Sequence, residues 1–102
     1  MYLRRNGTRR DGYDFDAATV EAVWRKGRIA AGYDPNRWRK DACNAWMDRT
    51  KYGDTSSGHG WEIDHVYPAS KGGGDELNNL QPLQWSNNRS KSDHYPQWSC
   101  AV

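Results

Sequence analysis

Glu62-Ile63-Asp64-His65-Val66-Tyr67-Pro68 is answered downstream by Asn79-Leu80-Gln81 and then by Asn88-Arg89-Ser90-Lys91. The run from Trp61 to Val66 is rich in β-branched and aromatic residues and stops at Pro68, the pattern of a strand. Around Asn79 to Leu83, Leu80 and Leu83 supply the apolar anchors of a second strand bounded by Pro82 and Gln84. The intervening Ala69 to Glu76 contains Gly72-Gly73-Gly74 and is too long for a tight hairpin turn, so a broad surface loop is expected there. After Trp85, Ser86 can cap a short helix in which Asn88 and Lys91, three positions apart, share one face. The segment therefore reads as strand, wide loop, strand, short helix, with Asp64 and His65 at the end of the first strand and Asn88 on the helix.

Upstream, Phe15-Asp16-Ala17-Ala18-Thr19-Val20 announces a helix, with Asp16 as N-cap and Phe15 stapled against Val20. Val20, Val23 and Trp24 share one face, and Gly27 or Gly32 ends the element. Tyr33-Asp34-Pro35-Asn36-Arg37-Trp38 repeats the device, with Asp34 as cap and Pro35 at the first helical position. The i, i+4, i+7, i+8 spacing of Trp38, Ala42, Ala45 and Trp46 predicts a second helix with Arg37 and Lys40 outward. Residues 1–13 have no periodicity and bear Arg4, Arg5, Arg9 and Arg10, which predicts a flexible basic arm. Tyr52 to Gly60 reads as a loop.

A chain of 102 residues with 35% hydrophobic content suits one small domain with a thin core. Aliphatic residues are so scarce that tryptophan and tyrosine are expected to fill that core. No apolar run approaches a membrane span or a secretory signal, which makes a soluble cytoplasmic protein the expectation. Cys43 and Cys100 are too few and too distant for a readable disulfide framework or a zinc site, and Cys43 is expected to be a buried thiol on the second helix.

The net charge of +2 conceals a division. Residues 1–51 carry 12 Lys and Arg against 7 Asp and Glu, whereas residues 52–102 carry 3 against 6. A basic half suits a polyanion and an acidic half suits a divalent cation, the combination required by metal-dependent cleavage of nucleic acid. An uneven solvated surface gives the same numbers.

Trp61 to Lys91 resembles the HNH nucleases of the ββα-metal, or His-Me finger, superfamily. The resemblance rests on Asp64-His65, Asn79-Leu80 and Asn88 with Lys91, at spacings of 14 from His65 to Asn79 and 9 from Asn79 to Asn88. Tyr33-Asp34-Pro35, Trp38 to Cys43 and Leu80 to Trp85 are also similar to small stand-alone bacterial and phage HNH proteins. Many relatives staple this finger with cysteines around zinc, and no such cysteines are present here. The resemblance implies that Asn79 ties the wide loop to the strand and that Lys91 sits near the phosphate.

Hydrolysis of a phosphodiester needs an activated water and stabilised charge on the phosphoryl and leaving oxygens. His65 is the natural general base because imidazole titrates near neutrality. Asp64 and Asn88 are hard oxygen donors suited to Mg²⁺ or Mn²⁺, with water and substrate completing the shell. Strict alternation along a strand would send Asp64 and His65 to opposite faces, so a twist, a bulge or the strand end is expected between them. Glu62 shares the parity of Asp64 and is read as a partner for a nearby Arg or Lys, with a metal-site role the alternative; His59 and His94 are read as surface residues.

The expected architecture is an α+β single domain: residues 1–13 as arm, 14–102 as nuclease domain, with a helical part over 14–51 and a ββα-metal element over 61–92 packed on two N-terminal helices without structural zinc. The expected activity is a metal-dependent DNA endonuclease of low sequence specificity. His65, Asn79 and Lys91 serve catalysis, and Asp64 and Asn88 hold the metal. Arg4, Arg5, Arg37, Lys40, Lys71 and Arg89 contact double-stranded DNA. A monomer with one site nicks one strand per encounter unless it dimerises. A silent nucleic-acid-binding module and an RNase are the competing readings.

Overall fold

The computed structural model describes residues 4–102. The chain is an α+β domain with two helices and two small antiparallel sheets: α1 (Ala17–Trp24), β1 (Trp38–Lys40), β2 (Trp46–Asp48), β3 (Trp61–His65), β4 (Leu80–Gln84) and α2 (Trp85–Lys91). No helix among the described residues is long and apolar enough to cross a membrane.

α1 starts where Asp16 accepts the backbone N–H of Thr19 at 2.8 Å, the expected N-cap. Val23 and Trp24 are fully buried, and Val20 packs against the same cluster.

The second helix expected after Asp34 is instead a hairpin. Asp34 closes a single turn, its carbonyl accepting from the N–H groups of Arg37 and Trp38, and the chain then extends. β1 pairs with β2 so that Trp38 faces Asp48 and Lys40 faces Trp46. The turn is built by Asp41, whose Oδ1 accepts the backbone N–H groups of Cys43 and Ala45 at 2.9 Å each, and by Asn44, which adopts the left-handed conformation at φ 65°. Asp and Asn are suited to those two tasks, and side-chain capping of the turn replaces the helical ladder. Asp41 also accepts, through Oδ2, the N–H of Gln84 and the amide of Asn87, which fastens the hairpin to the end of β4.

The cysteine expectation also fails. Cys43 lies half-buried in the hairpin turn and is bonded to Cys100, fixing the C-terminal segment to the hairpin across a separation of 57 residues. Asn87 reinforces the same fastening by accepting the N–H groups of Ala101 and Val102.

β3 and β4 pair from Trp61 opposite Gln84 to His65 opposite Leu80. All five residues of β3 are buried because each face is covered by a different helix. Trp61, Ile63 and His65 look toward α1: Trp61 lies 5.2 Å from Trp24, and His65 lies 6.0 Å from Phe15, between ring centroids. Glu62 and Asp64 look toward α2. α2 begins one residue before the expected cap, since Gln84 rather than Ser86 caps it, accepting the N–H groups of Ser86 and Asn87.

The core is Phe15, Val23, Trp24, Met47, Trp61, Ile63, Leu80 and Leu83. Tyrosine does not contribute as expected. Tyr13, Tyr33, Tyr52, Tyr67 and Tyr95 are exposed, and only Trp24 and Trp61 among the tryptophans are fully enclosed.

Candidate active site

Two rungs join β3 to α2. Asn88 donates its amide Nδ2 to Glu62 Oε1 at 2.9 Å, and Lys91 Nζ stands 3.3 Å from Asp64 Oδ2. Positions two apart on a strand share a face, and so do positions three apart on a helix, which is why the four side chains meet as two pairs. Asp64 Oδ2 also accepts from Gln81 Nε2 across the sheet at 3.0 Å. Burial pushes the Asp64 carboxyl up from the usual carboxylate range, and the contacts of Gln81 and Lys91 oppose that rise. Lys91 is 1% exposed and spends a second donor on the backbone carbonyl of His65 at 2.9 Å. Arg89 turns back onto Glu62, 2.8 Å from Oε2.

Pairing in β3 continues through His65 without a bulge, so Asp64 and His65 leave opposite faces of the strand. Both nevertheless line one cleft of about 280 Å³ at the strand's end, together with Arg4, Asn6, Pro68, Ala69 and Ser70. Asn88 does not line this cleft and joins it only through the β3 to α2 rungs. Asn6 also borders a second cleft, which contains Arg5, Glu62 and Arg89.

The imidazole of His65 is buried, and its Nε2 lies 2.7 Å from Asp75 Oδ1. Asp75 in turn accepts the backbone N–H of Arg10 at 2.9 Å, with Arg9 Nε 4.0 Å away. Partial burial raises the Asp75 carboxyl, but the hydrogen bonds from His65 and Arg10 outweigh it and hold the group below its ordinary value. Of the arm expected over 1–13, residues 1–3 lie outside the described residues. The remainder lies against the finger, with Thr8 buried and Gly7 beside the Glu62 side chain.

Asn79 closes the wide loop from inside. Its Oδ1 accepts the N–H of Tyr67 at 2.8 Å, and its Nδ2 donates to the carbonyls of Tyr67 and Gly74 at 3.1 and 2.9 Å. Among the proposed DNA contacts, Arg4 lines the cleft, Arg5 pairs with Asp14, and Lys71 is exposed in a short 3₁₀ turn. Arg37 is paired with Asp48, and Lys40 lies over the Trp46 ring, both on the hairpin.

Residues 51–97 match the family model described as HNH endonuclease. This segment belongs to the HNH endonuclease family. The match implies a nucleic-acid substrate and suggests nuclease activity for the HNH segment, which spans β3, β4, α2 and the loops around them. No curated protein and no solved structure matches the chain.

Two polar partners of the HNH segment carry no legible signal in the sequence. Asp75 follows three glycines and reads as an ordinary turn residue, and its placement opposite His65 depends on how the loop folds. Gln81 reads as a solvent-facing strand residue until the register sets it opposite Asp64.

The donors can be compared with the divalent ion that HNH nucleases generally use. Asp64 keeps Oδ1, and Asn88 keeps Oδ1, without a hydrogen-bond partner among the described residues. Because a carboxylate can only accept, Glu62 fixes the Asn88 amide with nitrogen inward and oxygen away from it. A carboxylate oxygen and an amide oxygen are donor types that suit a hard cation. No three His, Cys, Asp or Glu side chains gather as a metal cluster among the described residues.

Proposed function

We propose that this HNH protein is a metal-dependent DNA endonuclease that hydrolyses phosphodiester bonds and nicks one strand per encounter with low sequence specificity. The observation that supports this reading most is the cleft at the end of β3, where an oxygen donor and an imidazole from consecutive residues flank one solvent-accessible space. A bound Mg²⁺ or Mn²⁺ would stabilise charge on the phosphoryl and leaving oxygens.

On this reading Asp64 and Asn88 supply the protein's oxygen ligands, and His65 accepts the proton of the attacking water. Lys91, enclosed between Asp64 and the His65 carbonyl, acts on the site through those two residues rather than by touching phosphate. Asn79 holds the loop that carries Asp75. Arg4, on the cleft wall, is placed to meet the substrate backbone, with Arg5, Lys71 and Arg89 on neighbouring surface and Arg37 and Lys40 on the hairpin.

Supercoiled plasmid incubated with the protein and Mg²⁺ or Mn²⁺ tests the proposal. Relaxed circles should precede linear product, disappear with EDTA, and fall roughly 10²- to 10⁴-fold in rate for His65→Ala. Absence of relaxed circles with either ion, or an undiminished rate in His65→Ala, overturns it.

A further inference from the structure

His65 is 3% exposed, and its ring is held between Phe15 and the wide loop. The sole polar side chain on Nε2 is Asp75, at 2.7 Å, among the described residues. A carboxylate offers lone pairs only, so the proton between the two atoms belongs to Nε2. A neutral imidazole carries one ring proton, which leaves Nδ1 with a free lone pair.

The loop is built to deliver that carboxylate. Gly73 passes so close to Tyr67 that a Cβ would lie 1.8 Å from the Tyr67 carbonyl oxygen, a contact no other residue could make. The carbonyl of Gly74 is then caught by Asn79 Nδ2 at 2.9 Å, which sets the residue immediately before Asp75. Asp75 Oδ1 receives a second donor from the backbone of Arg10, which restrains the carboxylate without neutralising it.

We propose that Asp75 is the positioning residue of His65: it selects the tautomer protonated on Nε2 and turns Nδ1, the nitrogen that accepts the proton of water, toward the cleft. The kinetic consequence rests on the nuclease reading; the ring state does not. A carboxylate in this relation to a catalytic imidazole orients it and removes the wrong tautomer, and its loss costs rate without loosening substrate.

Long-range ¹H–¹⁵N spectra of the histidine rings, recorded on the whole chain without metal or DNA, test the ring state. Only three histidines need assignment, and His65→Ala identifies the relevant signals. The wild-type ring should show a protonated Nε2 and an unprotonated Nδ1, and Asp75→Asn should mix the tautomers. In plasmid nicking, Asp75→Asn should lower kcat roughly 10²-fold or more with KM within about twofold, and Asp75→Glu should recover part of both signatures. An Nδ1-protonated wild-type ring, or an Asp75→Asn ring identical to wild type, overturns the proposal. If the wild-type protein does not cleave, the nuclease reading fails while the spectra still decide what Asp75 does to the ring.

Discussion

The ammonium of Lys91 donates to the backbone carbonyl of His65 at 2.9 Å, so the last turn of α2 grips the final residue of β3. The same nitrogen stands 3.3 Å from the buried Asp64 carboxylate. Removing one member of an enclosed ion pair strands the other without water. Lys91→Met should therefore lose roughly 3–5 kcal/mol in urea unfolding, and the double variant Asp64→Leu, Lys91→Met should regain a substantial part of it. A single variant within about 1 kcal/mol of wild type would show that the pair carries little of the packing between β3 and α2.

Asn79 makes three hydrogen bonds that hold Tyr67 and Gly74 together. Replacing it with alanine frees the loop that carries Asp75 while leaving every proposed metal ligand in place. We expect Asn79→Ala to lose roughly 10²-fold in nicking rate and to gain protease sensitivity between residues 68 and 76. An unchanged cleavage pattern in limited proteolysis would contradict the assignment of loop closure to this side chain.

Asp48 gives a pH dependence whose sign can be worked out. Burial raises its carboxyl, but hydrogen bonds from Thr50 and Arg37 outweigh this and leave it below the usual value. A depressed folded-state value stabilises the protein above the unfolded carboxyl range, near pH 4, and that contribution is lost as pH falls through the folded value. Chemical denaturation between pH 7 and pH 2 should show Asp48→Ala destabilised at neutral pH and converging on wild type in acid. A constant difference across that range would assign the loss to packing instead.

The Cys43 to Cys100 bond closes a long loop, and removing such a constraint from the unfolded chain costs roughly 2–4 kcal/mol. Dithiothreitol, or Cys100→Ser, should lower the unfolding midpoint accordingly. The effect should centre on the hairpin and the C-terminal segment, detectable as faster amide exchange at Ala101 and Val102, whose N–H groups Asn87 accepts. Identical midpoints with and without reductant would remove the bond from the account of stability.

Legibility followed the reach of the forces involved. α1 was readable because Asp16, Val20, Val23 and Trp24 all act within two turns of one another. β3, β4 and α2 were readable because a spacing pattern fixes them jointly, and the HNH family match covers that region. The hairpin was misread because Trp38, Ala42, Ala45 and Trp46 satisfy helical spacing by coincidence. The deciding contacts are Asp41 to Cys43 and Ala45, and a positive φ at Asn44. The sequence Lys40-Asp41-Ala42-Cys43-Asn44-Ala45 holds that turn signal, and it was outweighed by the apolar spacing around it. The disulfide partner and the position of Asp75 depend on contacts between distant segments, which no local pattern encodes.

Because neighbouring residues of an unbroken β3 leave opposite faces, the two chemistries of the proposed site are wired to different supports. The oxygen donors answer to α2 through Glu62 and Lys91, whereas the imidazole answers to Phe15, the glycine loop and the arm. An engineer could then retune cation choice by remodelling the helix, or the orientation of the imidazole by remodelling the loop, provided Lys91 is kept, because its ammonium touches both the Asp64 carboxylate and the His65 carbonyl and so links the two supports.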